Sequence, residues 1–173
     1  MVLASFLFVV LITHAVLSIP PTNTFCKSHT SCQCPDPREL KCRFNSSTLS
    51  VDFIDTDVLK IDFSSNSLTN FVFGDNTLNV KTLILSDNRI AIVHEKMFNR
   101  MPHLEHLDLS RNSIEAIKDT TVFDALSMLR VLNLSRAFVD DYKMNRDLCE
   151  LYLLRELDVS YANMADFTLE CWG

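Results

Sequence analysis

Two groups of side chains in this chain of 173 residues have the types and spacing of reactive sites. His103 and His106 have the spacing of a metal-binding pair, and His106, Asp108 and Ser110 are the residue types of a serine hydrolase. Side chains two positions apart on a strand project in parallel and do not converge into a hydrogen-bond relay. The sequence shows no third metal ligand and no recognisable oxyanion-hole element. We therefore predict that the protein is not an enzyme and uses no metal or cofactor.

The six cysteines form a cluster and a separate pair. The cluster follows the pattern C-x5-C-x-C-x7-C, and the two sets are Cys26, Cys32, Cys34 and Cys42, then Cys149 and Cys171. Four thiolates can hold zinc in a reducing compartment, whereas an even number of cysteines in a secreted protein indicates disulfides. Four cysteines allow three pairings. The second pair is predicted either to bridge internally or to join another chain.

The first 18 residues carry no Asp, Glu, Lys or Arg and are mainly apolar, which is typical of a secretory signal peptide cleaved after Ser18. The alternative, a retained signal anchor, needs about twenty apolar residues and a basic flank. No second apolar run of that length follows. We predict a secreted, extracellular protein with no membrane span in the mature chain.

The overall charge argues against nucleic acid as a partner. The chain has 16 basic and 22 acidic residues and a formal net charge of -6, whereas binding to phosphate backbones usually requires a basic excess. Glycine occurs only at Gly74 and Gly173, so other residues must bend the backbone.

One pattern, L-x-x-L-x-L-x-x-N-x-L, recurs five times after the cysteine cluster. Its copies begin at Val58, Val80, Leu104, Leu129 and Leu154, in steps of 22, 24, 25 and 25 residues. Alternating apolar residues in each copy predict a short strand with one buried face, and successive strands would pair in parallel about 4.8 Å apart. Over residues 26 to about 167 the chain resembles the leucine-rich repeat family. The resemblance implies an α/β-type solenoid, curved, with short parallel strands on the concave face and irregular or short helical segments on the convex side.

The cysteine cluster resembles the N-terminal cap of extracellular leucine-rich repeat proteins, although its first gap is longer than usual. That resemblance implies the pairs Cys26–Cys34 and Cys32–Cys42. The resulting organisation is a signal peptide at 1–18, a cap and first strand at 19–57, and about five repeats at 58–173. Cys171-Trp172-Gly173 resembles only the start of a C-terminal cap, which would be incomplete or absent. A bare last coil would offer a surface for a homo- or heterodimer.

An asparagine ladder is predicted inside the solenoid, formed by Asn66, Asn88 and Asn112. Such side chains hydrogen-bond the backbone groups of adjoining coils and would explain bends made with so little glycine. Ala137 and Ala162 take the equivalent positions in the last two copies. We therefore expect the ladder to stop after Asn112, with a less regular C-terminal third and either partial compensation by Asn163 or a slip in register.

The residues between the leucines form columns on the predicted concave face. The serine found in one column of all five copies is interpreted as structural. The other columns contain arginine and tyrosine, which are enriched in binding hot spots, among mixed charges. A solvated, self-paired charged face is the alternative. The candidate ligand-binding residues are Lys60, Asp62, Thr82, Ile84, Asp87, His106, Asp108, Arg111, Arg130, Arg136, Glu156, Asp158 and Tyr161.

Two glycosylation sequons are present, at Asn45 and Asn133. A glycan on Asn133 would lie in the middle of the concave face.

The phrase L-x-L-S-x-N-x-I between Leu107 and Ile114 looks like Toll-type ectodomains and secreted insect leucine-rich immune proteins. Matrix proteoglycans and neuronal adhesion proteins share the phrase, so it identifies the family and not the role. Our leading hypothesis is a secreted protein that binds an extracellular protein or glycoconjugate through its concave face, in innate immune recognition. The alternatives are an extracellular matrix or cell-adhesion glycoprotein and a truncated ectodomain of a Toll-like receptor.

Overall fold

The computed structural model describes residues 31–51, 54–117, 121–140 and 148–162. Its strands are β1 (Cys32–Gln33), β2 (Glu39–Cys42), β3 (Thr48–Val51), β4 (Lys60–Asp62), β5 (Asn70–Phe73), β6 (Thr82–Ile84), β7 (Ile92–Val93), β8 (His106–Asp108), β9 (Ala116–Ile117), β10 (Val131–Asn133) and β11 (Glu156–Asp158). Short 3-10 turns span Glu95–Met97 and Asp124–Leu126. In these ranges no α-helix is present, and no helix has the length and hydropathy needed to cross a bilayer.

One seven-stranded sheet forms the concave face. Its order is β1-β2-β4-β6-β8-β10-β11, so each strand lies beside the strand of the next coil. The β1–β2 pair is antiparallel and all other neighbours are parallel. The strands β4, β6, β8, β10 and β11 are the strands predicted from the five copies of the repeat. The predicted curved solenoid with short parallel strands is confirmed.

The leucine positions of the repeat fill the interior. Ile61, Leu83, Leu107 and Leu132, at the centres of four neighbouring strands, are almost completely buried. The convex side contains two small parallel sheets, β3–β5 and β7–β9, and the two 3-10 turns. Buried phenylalanines connect neighbouring coils, as in the edge-to-face contact between Phe71 and Phe98, whose ring centres are 6.3 Å apart. Each coil therefore buries its apolar surface against its neighbours and not within itself.

The backbone bends at the same place in every coil, two residues after the apolar residue that follows each strand. The residues there have φ between 52° and 55°, in the left-handed region, and are Ser65, Asp87, Arg111, Arg136 and Tyr161. A left-handed conformation costs a residue other than glycine, asparagine or aspartate roughly 1 kcal/mol. The expectation that the asparagine ladder makes the bends is thus incomplete, because the turn itself is made by left-handed non-glycine residues.

The asparagine ladder satisfies the buried backbone groups beside each bend. Asn88 Oδ1 accepts the N–H of Leu68 at 3.0 Å, and its Nδ2 donates to the carbonyl oxygens of Phe63 and Leu85, both at 2.9 Å. Asn66 and Asn112 repeat the arrangement in their own coils. Each asparagine therefore joins two coils and also closes the turn of its own coil.

Where Ala137 replaces the asparagine, a backbone carbonyl oxygen accepts the hydrogen bond from the neighbouring coil. The N–H of Ile114 donates to the carbonyl oxygen of Ala137 at 2.8 Å, and the N–H of Ala137 donates to Leu134 at 3.1 Å. The strands stay in register, since Val131 pairs with both His106 and Glu156. The alternative of a register slip is wrong for β10 and β11. Asn163, expected to compensate in the last coil, lies outside the described residues.

The N-terminal edge of the solenoid is covered by the β1–β2 hairpin. Cys32 and Cys42, one of the pairs that the cap resemblance implies, form a disulfide across it. Strand β2 then pairs in parallel with β4 and continues the sheet. Cys34 and Cys149 are also disulfide-bonded, and their predicted partners, Cys26 and Cys171, lie outside the described residues.

Candidate binding face

The residues on either side of the buried centre of each strand align in two rows on the concave sheet because the parallel strands are in register. The first row runs along the beginning of the strands and contains Lys60, Thr82, His106, Val131 and Glu156. The second row runs along their ends and contains Asp62, Ile84, Asp108, Asn133 and Asp158. The candidate residues of these two columns therefore do share one surface.

The second row has a structural role that the sequence analysis missed. The Oδ1 atom of Asp108 accepts the backbone N–H of Ser110 at 2.9 Å, and Asp158 does the same for Ser160. Asn133 accepts the N–H of Ser135 at 3.0 Å and also its hydroxyl at 2.8 Å. The repeated D/N-x-S pattern was the available signal. These contacts are Asx turns, in which a side-chain oxygen satisfies a backbone donor two residues later.

This role needs an acceptor but not a negative charge. Asn133 makes the same backbone bond as its aspartate neighbours in the row, with a neutral amide. The charges on Asp108 and Asp158 are therefore not required for the turn. Hydrogen bonds from the backbone N–H and the hydroxyl of Ser160 hold the pKa of Asp158 below its ordinary value, so this carboxylate is ionised at neutral pH.

The N-terminal part of the face is occupied by its own ion pairs. Lys41 Nζ lies 2.7 Å from Asp62 Oδ2, and Lys60 Nζ lies 2.8 Å from Glu39 Oε1. Burial raises the pKa of Asp62, but the hydrogen bonds from Lys41 and Ser64 and the charge of Lys41 outweigh it, so the pKa lies below its ordinary value. Asp62 is only 7% exposed. The expectation that Asp62 contributes to an exposed ligand surface is therefore wrong, because the cap hairpin covers it.

Arg130 belongs to the flank of the sheet and not to the rows. Glu105 accepts a hydrogen bond from Lys81 at 2.8 Å, and its other oxygen lies 3.5 Å from Arg130 Nε. The hydrogen bond from Lys81 holds the pKa of Glu105 below its ordinary value. These three side chains tie the segments that precede β6, β8 and β10 together. For this part of the candidate set, a self-paired charged surface is the better description.

The left-handed bends form a rim beside the second row. Arg111 lies 3.6 Å from Asp87, and the guanidinium of Arg136 lies 5.1 Å from the centre of the Tyr161 ring. Tyr161 is 78% exposed, which leaves most of its ring available to a partner. Four of the five bend residues therefore interact in pairs along the edge of the face. This arrangement keeps an arginine and a tyrosine together at the C-terminal end.

The two sequons differ in their surroundings. Asn45 is exposed near the cap hairpin, whereas Asn133 is half-buried in the second row between Asp108 and Asp158.

The two histidines considered for metal binding are both exposed. His106 lies in the first row and His103 on the flank, in a shallow groove with Arg38 and Lys81. Within the described ranges, no three or more His, Cys, Asp or Glu side chains are arranged to hold a metal ion.

Residues 79–137 match the leucine rich repeat family. A comparison with curated proteins found no match to the chain. The family match and the parallel solenoid together support a leucine-rich repeat protein. A leucine-rich repeat suggests a role in protein interaction, and such solenoids are typically non-enzymatic scaffolds for binding.

Proposed function

We propose that this protein is secreted and binds a basic surface of another extracellular protein through the part of the concave sheet formed by β8, β10 and β11. Three carboxylates, Asp108, Glu156 and Asp158, lie on this part of the sheet. Within the described ranges none of them has an ion-pair partner. The N-terminal strands carry the neutralised pairs of the cap hairpin instead.

The observation that carries the proposal is the neutral Asn133 in the second row. It makes the turn that Asp108 and Asp158 make in the neighbouring coils. The fold is satisfied by an amide, so the two carboxylates are available for recognition. Charges arranged in this way select and steer a complementary partner more than they add affinity.

The rim supplies the second part of the proposed interface. Tyr161 and Arg136 stand at the end of the two rows and are of the types that dominate binding energy in interfaces. A partner that pairs with the carboxylates would also cover the exposed tyrosine ring. The proposed site is therefore a charged centre bordered by an aromatic residue.

Glycosylation affects the same surface. A glycan attached to Asn133 would stand between Asp108 and Asp158 and would obstruct the centre of the face. We propose that the protein binds its partner with Asn133 unmodified or with the partner placed beside the glycan. Ser135→Ala removes the sequon but keeps Asn133 Oδ1 as the acceptor of the backbone N–H at position 135. If Asn133 carries a glycan, this substitution should change the affinity for the partner, and an unchanged affinity would count against a concave site.

The biological role proposed is innate immune recognition of a protein on microbial surfaces, and the tested alternative is an extracellular matrix or adhesion role. Purified protein is applied to a panel of microbial cells and a panel of matrix proteins. Retention on microbial cells supports the immune role, and retention only on matrix proteins overturns it. The variant Asp108→Asn/Glu156→Gln/Asp158→Asn keeps the turn acceptors, but Asp108→Asn and Asp158→Asn each create an N-x-S sequon, so it and the wild type are produced in a host without N-glycosylation. The variant should be retained less by either panel if the concave site is used.

Secretion is tested separately from binding. The full chain is expressed in cells with a secretory pathway, and the medium is analysed by N-terminal sequencing. We expect a product beginning at Ile19. Protein that stays in the cells with Met1 intact would overturn the signal-peptide proposal without affecting the proposed binding face.

A further inference from the structure

The segments that lead into the strands of the concave sheet form one flank of the solenoid. In three successive coils this segment makes the same turn, in which a backbone N–H donates to the carbonyl oxygen three residues earlier. These bonds run from Leu104 to Met101, from Leu129 to Leu126 and from Leu154 to Leu151. The strands that follow are in register. The residue three positions before each strand therefore lies at the same place on the flank in every coil.

This position changes from polar to apolar along the solenoid. It is exposed in every coil, and its occupants in coil order are Asp57, Asn79, His103, Met128 and Leu153. Met128 is 37% exposed and Leu153 is 41% exposed, and they are neighbours because β10 pairs with β11. Tyr152, the residue before Leu153, is 75% exposed. Single exposed apolar residues are ordinary, whereas adjacent ones indicate an interaction site. We call Met128, Tyr152 and Leu153 the apolar flank.

Opposite charges stand at the two ends of the apolar flank. At the end where the chain enters it, Glu150 accepts a hydrogen bond from the hydroxyl of Tyr152. This bond and the charge of Glu150 raise the pKa of Tyr152, and the charge of Asp124 adds to the effect, so two carboxylates lie near the ring. At the end where the chain leaves, Arg155 is exposed and has no ion pair within the described residues. The flank is therefore acidic, then apolar, then basic.

A surface with this order of charges is complementary to itself. Consider a second copy placed against it by a two-fold axis that runs parallel to the direction in which the coils stack. The axis reverses the chain direction across the flank and keeps equivalent coils opposite each other. The apolar residues of the two copies then face each other, and Arg155 of each copy faces Glu150 of the other. Two-fold dimers are the commonest oligomers and use the same patch on both chains.

We propose that the protein forms a two-fold dimer through the apolar flank. Met128, Tyr152 and Leu153 form its centre, and methionine and tyrosine are among the types enriched in interfaces. The pairs between Arg155 and Glu150 of the second copy set the orientation more than the affinity. This surface is distinct from the bare end of the last coil, where a dimer was expected from the sequence. The concave rows lie beside the flank and are not part of it, so the dimer and the proposed concave interface can fail separately.

Sedimentation equilibrium of the purified full chain, over a wide range of concentrations and without reductant, measures the dissociation constant of the dimer. Leu153→Glu places a charge in the apolar centre. Its matched control is Val72→Glu, because Val72 is also 41% exposed but lies on β5. Glu150→Arg and Arg155→Glu each give the two ends the same charge, and the double variant exchanges the charges. Arg89→Glu is the charge control, at an exposed arginine outside the flank. Circular dichroism establishes that each variant is folded.

We expect the wild type and both controls to dimerise with the same dissociation constant, and Leu153→Glu to dimerise at least tenfold more weakly. Glu150→Arg and Arg155→Glu should each associate more weakly alone. An equimolar mixture of these two variants, like the double variant, should recover the association because opposite charges face each other again.

A wild type that is monomeric at every concentration would overturn the proposal and leave the flank to a different protein or to a terminal segment of the chain. A dimer that Leu153→Glu does not weaken would also overturn it, since the contact would then lie elsewhere, as at the end of the last coil. Failure of both the mixture and the double variant to recover the association would contradict the two-fold arrangement.

Discussion

The backbone N–H of Ile114 donates to the carbonyl oxygen of Ala137, at the point where the equivalent N–H groups of the preceding coils donate to asparagine side chains. The coil that contains Ala137 thus keeps the hydrogen bond to the neighbouring coil, although it lacks the asparagine side chain. The carbonyl is supplied by a backbone that approaches more closely, as the isolated bridge between Ile114 and Phe138 shows. The parallel register of β10 on β8 is preserved as a result.

The buried asparagines should be the most sensitive polar positions of the fold. Asn112→Ala removes the acceptor of the Ile90 N–H at 3.0 Å and the donors to Leu85 and Leu109. A buried donor left without a partner costs about 1–3 kcal/mol, so the free energy of unfolding should fall by about 2–3 kcal/mol. Urea denaturation measures it. The control Asn79→Ala, which removes one exposed bond to Thr56, should lower it by about 0.5 kcal/mol or less. Equal effects of the two substitutions would contradict the ladder's role.

A glycine substitution at the left-handed bend and one at the residue before it should change the stability of the protein in opposite directions. Ser65 has φ of 52°, so Ser65→Gly should be neutral or stabilising by up to about 1 kcal/mol, and Ser65→Val should destabilise by about 1–2 kcal/mol. Ser64, which has no positive φ, is the matched control. Ser64→Gly should destabilise by about 0.5–1 kcal/mol. Thermal unfolding measures all three, and a loss of stability in Ser65→Gly as large as that in Ser64→Gly would contradict the assignment.

The ion pair between the cap hairpin and the first coil should make stability depend on pH. The pKa of Asp62 is lowered in the folded protein, so its ionised form stabilises the fold above the ordinary value of 3.8 and this contribution is lost as the pH falls through the lower folded value. Asp62→Asn keeps an acceptor for the N–H of Ser64 but does not titrate. Because this substitution creates an N-x-S sequon, both proteins are produced in a host without N-glycosylation. The difference in unfolding free energy between the wild type and Asp62→Asn should therefore shrink between about pH 5 and pH 2. A difference that is independent of pH would show that the pair with Lys41 does not contribute.

The periodicity of the leucines was enough to predict the five strands and their order, because burial in a stacked coil imposes a fixed repeat. It was not enough to predict the left-handed bends. Ser65, Arg111 and Tyr161 share a backbone conformation but no side-chain chemistry, so their column shows no common residue type. Contacts outside the repeat were also hidden, since the burial of Asp62 depends on the register of β2 against β4, which brings Lys41 opposite it.

The position of the candidate face was predictable from the sequence, but the roles of its residues were not. The alternation in each strand placed His106 and Asp108 on one surface, but their separate roles depend on their hydrogen bonds. The D-x-S pattern contained the signal for the turn from Asp158 to Ser160. The structural role was predicted for the serine, whereas the aspartate supplies the hydrogen-bond acceptor.

The central claim is that the carboxylates of the concave face bind the partner. The direct measurement is the dissociation constant, on a biosensor, of the partner retained in the surface panels, for the wild type and for Asp108→Asn/Glu156→Gln/Asp158→Asn. All proteins are produced in a host without N-glycosylation, because Asp108→Asn and Asp158→Asn create N-x-S sequons. The matched control, Asp57→Asn/Glu95→Gln/Asp140→Asn, removes the same number of charges from exposed positions outside the two rows. We predict that the concave variant binds at least tenfold more weakly, with a smaller dependence on salt, and that the control binds like the wild type. Equal affinities of the two variants for the partner would contradict the account.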